Sequence, residues 1–245
     1  MLRFGIIGTG RMAVRLADLA QRSGHQVVLG SRDVVRAKTI ASRLGANVTG
    51  GSYDDAADQD IVMPAIFIRD GAFEDLRPFA RKTDGKIVVD ILNPYNDHYD
   101  DFLFPWDTSA AEELQKLWPG ARIVSTFKWP FWEAFENPDF DGGPMDIVIT
   151  GDDDEAKAIV LDLFRASPWR FLDGGGLAQA RFTERMTLFA GQLAAKYGYL
   201  PRVGWRLLGE PWEAGVRDAY SDIVQRWSAP PAAAANDAEA LLPQD

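Results

Sequence analysis

The chain has 245 residues, 47% of them hydrophobic, with no cysteine, two histidines and a formal net charge of −10. That is enough apolar material for one large or two small globular cores. The missing thiols exclude disulfides and cysteine-ligated metals, and the acidic balance excludes nucleic acid and anionic membranes as partners, because both demand a basic face.

Residues 2–7 read as a strand buried on both faces, and Gly8-Thr9-Gly10-Arg11-Met12-Ala13 follows it directly. Gly8 permits a tight turn, Gly10 lets backbone amides approach a pyrophosphate, and the small Ala13 keeps a helix over 12–23 close to the sheet. The free N–H groups and positive dipole end of that helix then face the diphosphate. A second strand, 26–29, ends in Gly30-Ser31-Arg32, with Arg36 and Lys38 a turn or so further on. An acidic residue there would take a ribose 2′-OH, whereas Ser31 and Arg32 suit a 2′-phosphate, so the expected cofactor is NADP(H).

A helix over 33–44 and a short strand at Val48 come next, then a strand over 60–66 whose pairing should weaken near Pro64. The pattern continues with a helix over 71–81, strand 86–91, helix 109–118, strand 122–126 and two more strands at 146–150 and 170–172. Such alternation predicts an α/β, Rossmann-like doubly wound fold with a mostly parallel sheet, extra strands and a C-terminal helical segment. Residues 93–107, rich in Asn, Asp, Pro and aromatics, read as a long loop beyond a strand end and a candidate pocket wall. The acidic run 151–155 reads as the start of a helix, not as a metal site. A long helix over 178–197 carries Phe182, Met186, Phe189 and Leu193 at spacings of three and four, predicting a buried stripe. A further helix is expected over 214–227 and a flexible tail beyond 228.

These boundaries divide the chain into an NADP-binding domain (1–177), a helical segment completing the substrate cleft (178–228) and a tail (229–245). Met1-Leu2-Arg3 leads straight into the first strand and no apolar stretch approaches the roughly 18 residues of a membrane span. A cytoplasmic protein acting on a small molecule is expected. Eight tryptophans and the long apolar helix predict a homodimer.

The stretches Gly5-Ile6-Ile7-Gly8-Thr9-Gly10-Arg11-Met12-Ala13, His25 to Asp33, Asp60 to Ile66, Gly85 to Pro94, Ile149 to Lys157 and Phe171 to Arg181 resemble the coenzyme F420-dependent NADP oxidoreductase family. The resemblance runs from Leu2 to about Gly209. It implies that Thr9, Ser31, Arg32 and Arg36 hold the 2′-phosphate and Gly8 to Ala13 the pyrophosphate. Ala65 and Ile66 would lie beside the nicotinamide ribose, with Asn93 near the nicotinamide. F420 is then a candidate co-substrate. The chain departs from the family at Phe67, in the 93–107 loop and at Phe127-Lys128-Trp129-Pro130-Phe131-Trp132, where large rings occupy ground over which a deazaflavin would lie.

Hydride transfer to an organic acceptor needs a dry, well-aligned cleft, and Trp129, Phe131 and Trp132 are candidates for an aromatic lid, with Tyr95 and His98 as further pocket residues. Reduction of an imine or carbonyl would also need a proton donor. Lys128 is the first candidate, since a lysine desolvated among rings has its pKa lowered, with Tyr95, His98, Tyr99 and Lys196 as alternatives. A protein that senses NADPH without turnover is a reading of another class.

Overall fold

Strand order in the main sheet reverses beside its first strand. In the computed structural model, which describes residues 2–209, β1 (Arg3–Ile7), β2 (Gln26–Gly30), β3 (Val48–Gly51), β4 (Ile61–Pro64), β5 (Ile87–Asp90) and β6 (Arg122–Ser125) pair in the order β3-β2-β1-β4-β5-β6. Every pairing is parallel, with Phe4 of β1 aligned to Val27 of β2 on one side and to Ile61 of β4 on the other. The first three strands are laid outward and the chain then returns to the far side of β1, which opens a crevice at the carboxyl ends of β1 and β4. Two more strands, β7 (Asp146–Ile149) and β8 (Arg170–Asp173), form a parallel pair joined to β6 by an antiparallel bridge between Ser125 and Thr150.

The helices are α1 (Arg11–Arg22), α2 (Val34–Leu44), α3 (Tyr53–Ala57), α4 (Ala72–Leu76), α5 (Ala110–Leu117), α6 (Trp132–Glu136), α7 (Asp154–Leu163) and α8 (Ala180–Tyr197). Strand alternation sorts the core into two layers. Phe4, Ile6, Leu29, Met63, Val89 and Val124 pack with Leu16, Val160 and Phe164 on one face, while Ile7, Val62, Val88 and Ile123 pack with Leu76, Leu114 and Trp118 on the other. Trp118 is fully buried and donates its indole N–H to Leu76 O at 3.1 Å, so its polar atom is satisfied.

β4 behaves as its proline demands. Its ladder with β1 reaches Pro64, but the ladder with β5 stops at Val62–Val88. The helix expected over 71–81 is broken: α4 ends at Leu76, and Pro78 lies in a 3-10 turn over Arg77–Lys82. The acidic run ends in an N-cap, since the Asp153 carboxylate accepts from Ala156 N–H at the start of α7.

The orientation of α8 corrects the expected stripe. Phe182 and Phe189 are 65% and 54% exposed, and Met186 is also on the outside. The inward face is Ala180, Thr183, Glu184, Thr187, Ala190 and Ala194. Small side chains let α8 approach α5 closely, and the buried Glu184 carboxylate is satisfied there by the backbone N–H groups of Ala110 and Ala111. Periodicity locates a stripe but does not say which stripe faces the core.

Residues up to Trp205 form one compact unit, and a second runs from Arg206 onward. The helix expected over 214–227 and the tail over 229–245 lie outside the described residues.

Candidate functional site at the sheet crevice

The turn after β1 is fixed by two close approaches. Gly8 N–H donates to Gly30 O at 2.9 Å, and a Cβ at Gly8 would lie 2.4 Å from Ala65 O. Its φ of +137° is a backbone conformation that side chains rarely adopt, so glycine is required by the fold itself. Gly10 is different. It caps α1 with no side-chain bond, no acidic residue stands in the first turn, and a Cβ there would meet nothing within 4 Å. Val14 N–H is bonded to Gly10 O, while the N–H groups before it lie in the turn that an α-helix leaves without intrahelical partners. The chain's own packing does not demand glycine at position 10, and the bare backbone there leaves room for close approach by an anion. Ala13 is buried against the sheet, with Met12 partly buried beside it.

At the end of β2, the Ser31 hydroxyl accepts from Asp33 N–H at 3.1 Å, which leaves its own proton to donate. Asp33 caps α2 by accepting from Arg36 N–H. The Arg36 guanidinium reaches back to Thr9 Oγ1 at 3.2 Å, tying α2 to the glycine turn. The Arg32 side chain is 76% exposed, lies 3.5 Å from Asp75 and hydrogen-bonds the Tyr53 hydroxyl. Such an exposed pair yields readily to a better anion. Thr9, Ser31, Arg32 and Arg36 therefore fit a 2′-phosphate, and Gly8 to Ala13 fit the pyrophosphate.

Ala65 and Ile66 follow β4 at the same edge of the sheet, and Asn93 follows β5. Asn93 donates its amide N–H to Lys128 O at 2.8 Å, while its Oδ1 is buried with no hydrogen-bond partner among the described residues. An unpaired acceptor of this kind fits the amide donor of a nicotinamide.

Beyond Asn93 the long loop is pinned. Tyr95 and Phe102 form an antiparallel bridge, Arg185 of α8 donates to Pro105 O at 2.7 Å, and Gln192 donates to Asp100 O at 3.0 Å. Burial raises the Tyr95 phenol well above its ordinary range, with Tyr99 adding to the effect, so it stays protonated. Arg69 lies over both the exposed Phe67 ring (4.9 Å) and the Tyr99 ring (4.4 Å) and donates to the Tyr99 hydroxyl at 2.6 Å. His98 is exposed on the same loop.

The aromatic lid divides. Trp132 and Phe131 are partly exposed, and Trp132 lies under the Arg11 guanidinium at 4.5 Å, next to the start of α1. Trp129 is 2% exposed and donates its indole N–H to Asp146 O at 2.6 Å, which makes it a core residue and not a lid. The lysine expectation is corrected as well. Lys128 Nζ is buried and donates to Asp90 Oδ2 at 2.6 Å, Glu184 Oε1 at 3.0 Å and Leu92 O, which uses all three of its protons. Burial alone lowers its pKa, but Asp90 and Glu184 outweigh it and the net shift is upward. Its neighbour Phe127 sits at φ +50°, held by Phe164 at 4.8 Å and by Phe135, Trp169 and Phe171.

Three site residues escaped sequence reasoning: Asp90, Glu184 and Arg69. An aspartate ending an apolar strand and a lone acid within an apolar helix were the available signals for the first two. Arg69 carried none.

Residues 3–94 match the model of the family described as NADP oxidoreductase, coenzyme F420-dependent. The F420-dependent NADP reductase of Methanocaldococcus jannaschii is 29% identical over 206 residues, which cover 78% of this chain and 91% of that protein. Metalloreductase STEAP3 of Rattus norvegicus is 32% identical over 186 residues, covering 76% of this chain but only 36% of that protein, so the chain spans about a third of that relative. Among solved structures, a putative F420-dependent NADP-reductase from Arthrobacter sp. FB24 superposes with a TM-score of 0.75 at 23% identity, covering 85% of this chain and all 100% of that one. An imine reductase from Myxococcus stipitatus in complex with NADP+ gives a TM-score of 0.57 at 16% identity, covering 82% of this chain and 64% of the other. At these identities the two structures share the fold.

Proposed function

We propose that the chain, whose residues 3–94 match the coenzyme F420-dependent NADP oxidoreductase family model, passes hydride between NADP(H) and a deazaflavin of the F420 type or a close variant. The observation that carries the nucleotide half of this reading is the bond from Arg36 to Thr9, which joins a 2′-phosphate cluster to a glycine turn open to backbone approach. Bound NADPH supplies the hydride. The residues of the chain bind and orient it: Gly8 to Ala13 at the pyrophosphate, Ser31, Arg32 and Arg36 at the 2′-phosphate, Asn93 at the nicotinamide. Ala65 and Ile66 line the ribose, and Tyr95, His98, Phe131 and Trp132 border the place of the acceptor.

The state of Lys128 favours a deazaflavin over an imine or carbonyl. With all its protons engaged by Asp90, Glu184 and Leu92, it is a poor general acid, and an acceptor ring that takes hydride as a cofactor does has less need of one. Titration with NADPH and NADH, followed by nicotinamide emission, tests the nucleotide half, with Arg32→Ala as control. NADPH preference that falls in the variant supports it; binding of neither nucleotide ends it. Oxidation of saturating NADPH on adding a deazaflavin tests the rest, and an unchanged spectrum sinks the F420 reading.

The exposed apolar side chains of α8, Phe182, Phe189 and Tyr197, support a homodimer. Light scattering that gives a monomer at micromolar concentration would overturn it.

A further inference from the structure

Three ionisable groups, Asp90, Lys128 and Glu184, lie buried behind Asn93 and bond to one another and to backbone. Asp90 is 0% exposed at the end of β5; its Oδ1 accepts from Leu92 N–H at 3.0 Å and its Oδ2 from Lys128. Lys128 in turn donates to Leu92 O, so both backbone polar groups of the residue preceding Asn93 are clamped by one ion pair. The Lys128 carbonyl accepts from the Asn93 side chain at 2.8 Å. Glu184 completes the cluster from α8, accepting from Lys128 with one oxygen and from Ala110 N–H at 2.9 Å with the other.

Burying one ammonium and two carboxylates is costly, and a well-packed apolar trio often does as well for stability. The geometry instead serves the direction of one amide. Both backbone polar groups of Leu92 and the Asn93 side-chain N–H are tied to Asp90 and Lys128, and the side-chain acceptor left over is Asn93 Oδ1. Burial pushes the Glu184 carboxyl pKa up, which Lys128 partly offsets.

We propose that Asp90, Lys128 and Glu184 are positioning residues for Asn93, holding its Oδ1 toward the nicotinamide amide so that the ring is oriented for transfer. The inference rests on the NADP(H) reading above. It concerns the nicotinamide end alone.

The test compares binding of NADPH with binding of 2′-phospho-ADP-ribose, a fragment lacking nicotinamide, by calorimetry. Asn93→Ala is expected to weaken NADPH by roughly tenfold, the scale of one lost hydrogen bond, and to leave the fragment unchanged. Glu184→Gln keeps an acceptor for Ala110 but removes the charge facing Lys128; it is expected to weaken NADPH by about three- to tenfold, again sparing the fragment. Combined with Asn93→Ala it should add nothing, because it acts through that residue. Asp90→Asn gives a second route to the same pattern should Glu184→Gln fold poorly. Equal losses for NADPH and fragment, additive losses in the double variant, or folded variants with wild-type NADPH binding each overturn the proposal. Wild-type protein that binds neither ligand overturns the cofactor reading and this one with it, whereas wild-type binding with a failed Asn93 pattern overturns this one alone.

Discussion

The proposed nucleotide end of the crevice and the end behind Asn93 are built on opposite principles. From Phe4 to Arg36 the chain makes its site from consecutive residues: a strand, a glycine turn, a helix start and the end of the neighbouring strand. The other end is assembled from pieces far apart in sequence, with β5, the segment after β6 and α8 meeting at Asp90, Lys128 and Glu184. Local sites are dictated by backbone geometry, which a single residue type can reveal. Assembled sites are dictated by burial, which a single residue type cannot.

The two glycines of the turn give the largest expected effects and separate fold from ligand. Gly8→Ala must place a Cβ 2.4 Å from a backbone carbonyl at a φ unsuited to it, so the melting temperature should fall markedly and NADPH binding should fall by about a hundredfold or more. Gly10→Ala meets no protein atom, so it should melt as the wild type does while NADPH binding falls at least about tenfold. A Gly10→Ala protein with unaltered NADPH affinity would show that no anion approaches that backbone, and the local half of the comparison would fail.

At the other end, Lys128→Met leaves Asp90 and Glu184 buried without their cation. A loss of about 3–5 kcal/mol is expected, read as a lower denaturation midpoint in urea. Glu184 can escape part of it by taking up a proton, which its already raised pKa favours. A variant of wild-type stability but abolished turnover would instead return Lys128 to the role of proton donor.

The same contrast decides what the sequence discloses. The edges of β1, β2 and β5 follow from apolar runs between glycines and caps, and the Pro64 interruption follows from one missing N–H. α3 and α6, of five residues each, are too short to show a period, although Ser52 and Asp55 form a capping box at the first. Trp129 and Trp132 are three positions apart in one aromatic segment, yet one is core and the other is partly exposed under Arg11. Nothing in their chemistry separates them, because the turn at Phe127 packs on rings from α6, from Phe164 just after α7 and from β8. Lys128 failed in the same way: desolvation was legible, but the carboxylates that reverse its effect lie 38 and 56 residues away.

Arg36→Ala sharpens the local side by a smaller amount. It removes the link to Thr9 and one cation from the proposed 2′-phosphate cluster, so NADPH affinity should drop about five- to tenfold with NADH affinity unchanged. Equal losses for both nucleotides would place Arg36 at the pyrophosphate instead.

The smallest effect is expected where the assembled half is held by surface charge. Arg122 opens β6 and forms two bonds to Asp153, 2.5 and 2.9 Å long, across to the cap of α7. Those bonds, with the backbone N–H of Ala156, hold the Asp153 pKa down to about 2. The unfolded carboxyl titrates near 3.9. Between these values the unfolded chain binds more protons than the folded one, so stability rises with pH across that window. The contribution is complete above about pH 4–5 and lost as pH falls toward 2. Because Asp153 faces solvent, salt should diminish it. Arg122→Gln is therefore expected to flatten the acid limb of the melting-temperature profile slightly and to leave NADPH binding at neutral pH untouched. A loss of NADPH affinity in that variant would mean that the two ends of the crevice are coupled through β6, and the distinction between a local and an assembled half would no longer hold.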